Sequence, residues 1–438
     1  DFLAQLEDFQ KKLWLKKKFV VETDYCVTLD RIPEELYPAI IKNEAQREEW
    51  VRLFAIDEIK GTLVTPAYSS PLTAEFLKAN PYLTLDSKLF DRSFVTRLVG
   101  SWSDIDSGID GVGIHGENFQ ALNLIQSRYA GMASCIYIDP PYNTSASEII
   151  YKNSYKSSSW LSFVSGRVNL SYSFLQSGGI ICITIDDFEF HHLLSYLEGQ
   201  FSDERILGVV AIKNNPSGRA TAKGFSIAHE YGVFMGRDEQ SAIGHLTHSE
   251  EQRARYKEAD DVGTFEWVNF RKHGGANANR YARPKLFYPI LASKDILRIP
   301  SMDWDNKAQA WTLREKPMAE EEVLYPIDSQ GAEKTWKWGH ETASRQMEDL
   351  KVGIDQRGNR AIYMKSRLNQ AGTLPRTIWD KKEYSSTEYG TNLLARIFGE
   401  KERFSFPKSV HAVADCLRVA GIGEDGLVLD YFVSVAES

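Results

Sequence analysis

Asp139-Pro140-Pro141-Tyr142 is the stretch of this 438-residue sequence whose residue types and spacing could do chemistry. A carboxylate, a carbonyl with no intervening N–H and an aromatic ring converge there. That set suits an exocyclic amine on a planar base. Asp139 can accept one N–H, the carbonyl of Pro140 the other, and Tyr142 can stack on the ring. Accepting both hydrogens turns the nitrogen lone pair out of conjugation, toward an electrophilic methyl group in line. A base handled this way must first leave its duplex. The plain alternative is a stiff turn that ends a strand and carries no chemistry.

The flanking elements favour the chemical reading. Cys135-Ile136-Tyr137-Ile138 is a short apolar strand. Neither proline can donate to a sheet ladder, and each extends the residue before it. The strap therefore lies just past a strand's carboxyl end, where open α/β sheets bind ligands. "GVGIHGENFQALNLIQSRYAG" reads as a short strand, a turn and a helix. "SWLSFVSGRVNLSYSFLQSGG" reads as a helix stopped by Gly178-Gly179. "IICITID" is a strand buried on both faces and "DFEFHHLLSYLEGQF" the next helix. This alternation predicts an α/β fold with a doubly wound, mostly parallel sheet.

Upstream, residues 1–105 read as a mainly helical accessory region. The run "DFLAQLEDFQKKLWLKKK" puts Phe2, Leu3, Leu6, Phe9 and Leu13 on one face, and "PEELYPAIIKNEAQREEWVRLFAI" reads as a second amphipathic helix. Residues 106–210 hold the first part of the core. Residues 211–385 lose the strand–helix rhythm and read as a loop-rich insert. The rest, 386–438, returns to helices and ends on the strand "GLVLDYF".

The composition narrows the partners. A net charge of −8 means that a polyanion must be held by a local patch, not by the global field. One patch stands out, "NFRKHGGANANRYARPK", with Arg271, Lys272, Arg280, Arg283 and Lys285 among Gly, Asn and Tyr. Such residues supply the phosphate and base contacts of duplex DNA binding, although a solvated basic loop would look the same. Cys26, Cys135, Cys182 and Cys416 are too far apart for a metal or disulfide framework, which fits a reducing, cytoplasmic setting. His191-His192 and His229-Glu230 lack zinc-site spacing, so no metal is expected. No apolar run approaches a membrane span of about 18 residues, and no signal peptide opens the chain.

Several segments taken together resemble a known family. They are "CIYIDPPYNT", "SSSWLSFVSGRVNLSYSFLQSGGIICITIDDFEFHHL", "ARPKLFYPI", "RTIWDKKEYSSTEYGTNLLARIFG" and "FSFPKSV". Over about residues 60–432, in order, the chain is similar to amino-type DNA methyltransferases of the permuted class, above all to the modification subunits of type III restriction systems. The resemblance implies a Rossmann-like methyltransferase sheet, S-adenosylmethionine as cofactor and double-stranded DNA as substrate. It also implies a restriction context, in which a restriction subunit or a second copy of the chain would be partners. DPPY rather than SPPY implies adenine N6 over cytosine N4.

Carried over by position, Asp139, Pro140, Pro141 and Tyr142 would be catalytic. Glu117 and Asn118, in "HGEN", match a family Gly-Asp-Asn turn near the cofactor, with Glu as a departure. Lys408 matches a segment lining the cofactor pocket, and Asp430 and Phe432 the start of the cofactor loop. The basic patch falls in or beside a target-recognition insert. The family reads Asp-x-Phe-x-Gly-x-Gly where this chain reads "DYFVSVAES". We therefore expect a chain truncated at its cofactor loop, and poor cofactor binding. A DNA-binding remnant without catalysis, a cytosine N4 enzyme and a purely structural subunit are the rival readings.

Overall fold

The two apolar runs read as strands are neighbouring interior strands of a six-stranded sheet. They are β1 (Ala133–Ile138) and β2 (Leu175–Ile185), paired in parallel with Ile136 opposite Ile181. The structure, a computed structural model, describes residues 20–62, 65–143, 157–218, 224–294, 296–355, 357–399 and 406–433. The lysine-rich run at 1–18 lies outside the described residues.

With β3 (Ile206–Ile212), β4 (Glu230–Gly236), β5 (Ile378–Trp379) and β6 (Leu427–Leu429), the order is β5-β3-β4-β2-β1-β6. Three of the five adjacent pairs are parallel, and β4 runs antiparallel to both β2 and β3. Side chains alternate across the sheet. Ile136, Ile181, Val233 and Met235 share a core with Leu122, Trp160, Val164 and Leu193. Those four come from α1 (Asn118–Tyr129), α2 (Ser157–Tyr172) and α3 (Phe190–Phe201). On the other face Phe234 meets Trp379, and Cys135 and Cys182 lie beside Cys416 of α4 (Val410–Val419). Helices on both faces of a largely parallel sheet make an α/β, doubly wound fold. Each fully buried aliphatic side chain contributes roughly 1.5–3 kcal/mol to this core.

Several local readings change. Gly178-Gly179 do not stop α2, which ends at Tyr172. They sit inside β2 as a bulge, where the β1–β2 register shifts between Ala133 and Cys135. A Cβ on Gly179 would lie 2.9 Å from the Gln176 carbonyl oxygen of the same strand and 3.0 Å from that of Ala133 in the parallel neighbour, so the bulge itself requires glycine there. "GVGIHG" forms no strand, because Val112 and Ile114 are exposed and find no ladder. The helix read from Pro33 breaks at Asn43, whose side chain accepts from Gln46 N–H at 3.0 Å and caps a new helix, Glu44–Phe54. That helix, with Ala74–Ala79, Arg92–Gly100 and the paired strands Cys26–Thr28 and Thr84–Asp86, surrounds Leu29, Trp50, Phe76 and Leu98.

The chain divides into two units, His245–Pro375 and the remainder. The insert boundaries read at 211 and 385 differ from this division. β4 and β5 belong to the main sheet, and the lone antiparallel strand hid the continuing core. Nor is the second unit mainly loop. It holds an antiparallel sheet ordered Leu350–Ile354, Arg360–Arg367, Gly263–Asn269 and Glu258–Asp260. Ile362 of that sheet packs with Phe270, Tyr288, Ile290 and Trp336. Its strands are short and polar residues interrupt them, so their period of two is weak in the sequence.

Candidate active site

β1 delivers Asp139 to the carboxyl edge of the sheet, as the strand-then-proline pattern predicts. One oxygen of its carboxylate, Oδ1, accepts from Thr184 Oγ1 of β2 at 2.9 Å and lies 3.2 Å from Lys408 Nζ. Pro140 is buried, and the Pro141 carbonyl accepts from the Trp160 indole N–H at 2.7 Å. Tyr142 packs its ring against the core while its hydroxyl donates to Glu230 Oε2 at 2.9 Å. The strap then turns at Asn143, buried in a left-handed conformation with φ 58°. Asn tolerates that region better than most residues. Its amide donates to Glu189 Oε1 at 2.7 Å.

Lys408 is the centre of charge at this strap. Its ammonium donates to Glu230 Oε2 at 2.5 Å and to the Tyr142 hydroxyl, and lies 4.3 Å from the centre of the Tyr142 ring. Burial disfavours its charge, but Asp139 and Glu230 outweigh that, so Lys408 titrates above the usual lysine range. Burial, then the charges of Asp139 and Glu230, push the Tyr142 phenol well up, so it stays a hydroxyl donor.

β6, beside β1, brings in the residues matched to a cofactor loop. Tyr431 is buried, with its hydroxyl 3.0 Å from Ser171 Oγ. Phe432 is half-buried and its ring centre lies 5.9 Å from that of Phe163. Asp430 reaches solvent, yet the protein packed round it pushes its carboxyl up to about 6, with Asp139 adding and the Phe432 N–H opposing. Glu117 caps α1 by accepting from Gln120 N–H at 3.0 Å and pairs with Arg167. The Asn118 side chain donates to the Tyr431 carbonyl at 2.9 Å and accepts from Arg167 Nε at 2.5 Å. These two residues thus tie α1, α2 and the end of β6 together.

The raised Asp430 carboxyl has a checkable consequence. A carboxyl titrating near 6 when folded and near 4 when unfolded holds more protons in the folded state. Its contribution to stability is therefore full below pH about 4 and is lost as pH rises through about 6. Across that window the melting temperature of the parent should fall relative to that of Asp430→Asn. Parallel curves for the two proteins would show that Asp430 is not so perturbed.

In the second unit the five basic residues divide. Arg280 makes a two-pronged pair with Glu333, 3.0 Å to each oxygen, and covers the Phe287 ring. Arg271 donates to the Ile327 carbonyl. Lys272 is half-buried near Lys337, whose ammonium is pushed down by burial and by that neighbour. Arg283 and Lys285 are exposed, with the Lys285 ammonium 5.8 Å from the centre of the Trp304 ring. Arg271 and Arg280 are therefore joined to acceptors in their own unit.

Sequence reasoning missed Glu230, Thr184, Trp160 and Arg167. Glu230 has a signal in the sequence, an acid heading the apolar run "YGVFM", but beside His229 it reads only as an incomplete zinc motif. The others read as ordinary strand and helix residues.

A doubly wound sheet with a carboxylate–aromatic strap at its carboxyl edge defines an α/β protein of the methyltransferase fold class. Residues 133–435 match the DNA methylase family of N6 and N4 enzymes, and the chain belongs to that family. It is 29% identical over 354 residues to the type III restriction-modification enzyme EcoPI Mod subunit of Escherichia phage P1, covering 73% of this chain and 52% of that one. It is 28% identical over 340 residues to the type II methyltransferase M.KpnI of Klebsiella pneumoniae, covering 75% of each. A probable HindVI Mod subunit of Haemophilus influenzae is 28% identical over 326 residues, covering 73% of this chain and 41% of that one. The chain thus spans about half the length of the EcoPI subunit.

Proposed function

We propose that the chain carries the methyl-transfer site of an enzyme that methylates the N6 amine of adenine in duplex DNA, using S-adenosylmethionine, as the modification component of a restriction-modification system. The observation that carries this reading is the strap itself. Thr184 and Lys408 both grip Asp139 Oδ1, and we assign Oδ2 to the target amine. The Pro140 carbonyl takes the second N–H, and the Tyr142 ring supports the base after it leaves the helix. Asp139 aligns the nitrogen lone pair and passes the surplus proton toward solvent.

When bound, S-adenosylmethionine would supply an electrophilic methyl group carried on a sulfonium, whose sulfur would keep the electron pair of the carbon–sulfur bond. The residues present fit an adenosyl group: Phe432 offers an aromatic face and Asp430 a carboxylate at the strand end beside the strap. The stretch after Val433 lies outside the described residues. DPPY supports adenine over cytosine, and the names of the Mod relatives support a restriction subunit as partner.

The test is transfer from labelled S-adenosylmethionine to unmethylated bulk DNA, followed by nucleoside analysis. N6-methyladenine is expected, N4-methylcytosine would redirect the reading, and DNA binding with no methylated nucleoside would favour the non-catalytic remnant. In the same preparation, Arg283→Ala with Lys285→Ala should flatten the plot of log affinity against log salt by about 0.9 for each phosphate that is no longer neutralised. Arg280→Ala, whose charge is already paired, should leave that slope unchanged. An unchanged slope in the double variant would remove the exposed pair from the DNA interface.

A further inference from the structure

We propose that Glu230 is a positioning residue for methyl transfer, holding Lys408 back from Asp139 and fixing the ring plane of Tyr142. The inference rests on the transferase reading above. Glu230 opens β4 with its side chain only 3% exposed. A lone carboxylate so deeply buried would be costly, and such groups persist where donors meet them. Here one oxygen, Oε2, meets three side-chain donors: Lys408 Nζ at 2.5 Å, the Tyr142 hydroxyl at 2.9 Å and Asn214 Nδ2 at 2.8 Å. Through them it joins the strap, the segment before α4 and the segment after β3. All three donors are side chains from other segments, so the carboxylate serves to gather these groups and not to cap a helix or close the sheet.

The distances suggest what the acid does. Lys408 lies nearer to Glu230, at 2.5 Å, than to Asp139, at 3.2 Å. Asp139, Glu230 and the Tyr142 hydroxyl are the titratable groups that face its ammonium among the described residues. Without the Glu230 charge, the ammonium keeps Asp139 as its carboxylate neighbour. It would then compete with the target amine for the oxygens that must align it. The Tyr142 hydroxyl would also lose the acceptor that sets the angle of its ring.

The experiment compares the parent chain with Glu230→Gln, Glu230→Asp and Tyr142→Phe. Glu230→Gln is expected to lower kcat by a factor of about 100, the size of loss that small misplacement of reacting groups produces, while KM for cofactor and DNA changes little. Glu230→Asp, which keeps the charge, should recover part of the rate. Tyr142→Phe should lose less than Glu230→Gln, since it keeps the stacking face. A second readout needs no turnover: acylation of Lys408, mapped by mass spectrometry against pH. In Glu230→Gln the ammonium loses a neighbouring charge, so Lys408 should react at lower pH than in the parent. An unshifted Lys408 profile, or kcat close to that of the parent, overturns the inference. If the parent transfers no methyl group to DNA, the transferase reading fails, and the Lys408 profile alone still decides whether Glu230 holds the lysine. If Glu230→Gln does not fold, the profile and rate of Glu230→Asp take its place, and parental values for both overturn the inference.

Discussion

Asp139→Ala is expected to abolish methyl transfer, with a loss of roughly a thousandfold or more in rate, while DNA affinity stays near that of the parent. The variant removes the carboxylate whose Oδ2 is assigned to the target amine. A hydrogen bond to a charged group is worth about 1.5–3 kcal/mol, and each 1.36 kcal/mol is tenfold in rate. Misalignment of the nitrogen lone pair adds to that loss. The fold should survive, because Lys408 keeps Glu230 and the Tyr142 hydroxyl as partners and is not left as a lone buried cation. Thr184 Oγ1 also stands within 3.3 Å of the Ile138 carbonyl, so its hydroxyl keeps an acceptor. DNA affinity should hold because the phosphate contacts are assigned to Arg283 and Lys285. The measurement is initial transfer rate beside equilibrium DNA binding at fixed salt. A rate within tenfold of the parent would sink the role given to Asp139.

How much of this site is legible in the sequence depends on how local its determinants are. Asp139 is legible because two prolines punctuate a strand within a few residues, and such punctuation acts on the backbone directly. The core strands are legible for the same reason, since Thr184 alone interrupts the apolar run Ile180–Ile185. Glu230 is not, because its meaning comes from β4 pairing with β2 and β3 far along the chain, against the parallel trend of the sheet. Charge is the least legible property. Arg280 and Arg283 look alike in the loop, but it is Arg280 that meets Glu333, more than fifty residues downstream. The Gly178-Gly179 pair shows the same limit from the other side. Two glycines after a helical pattern resemble a helix stop, yet it is a bulge in β2, crowded by the carbonyls of Gln176 and Ala133, that demands the second of them.

The same dependence on distant contacts makes Trp160 the residue whose loss should cost most stability near the site. Its side chain is 2% exposed and sits in the core with Val164, Val168 and Ile138. Truncating such a side chain to alanine typically costs about 3–5 kcal/mol, from lost burial and the cavity left behind. Trp160→Ala should therefore lower the midpoint of cooperative unfolding in urea by an amount of that order. Trp160→Phe separates packing from the hydrogen bond. It keeps most of the volume but removes the N–H that donates to the Pro141 carbonyl at 2.7 Å. Its stability cost should be about 1 kcal/mol, the usual net worth of one hydrogen bond. Its effect on transfer should be larger than that cost suggests. The Trp160 bond fixes the strap between Asp139 and Tyr142, and a displacement of about 1 Å in a reacting group can cost a hundredfold in rate. Urea unfolding and transfer rate, measured on both variants, check the two halves. Trp160→Phe transferring at the parental rate would show that packing alone holds the strap, and Trp160→Ala unfolding at the parental midpoint would remove Trp160 from the core.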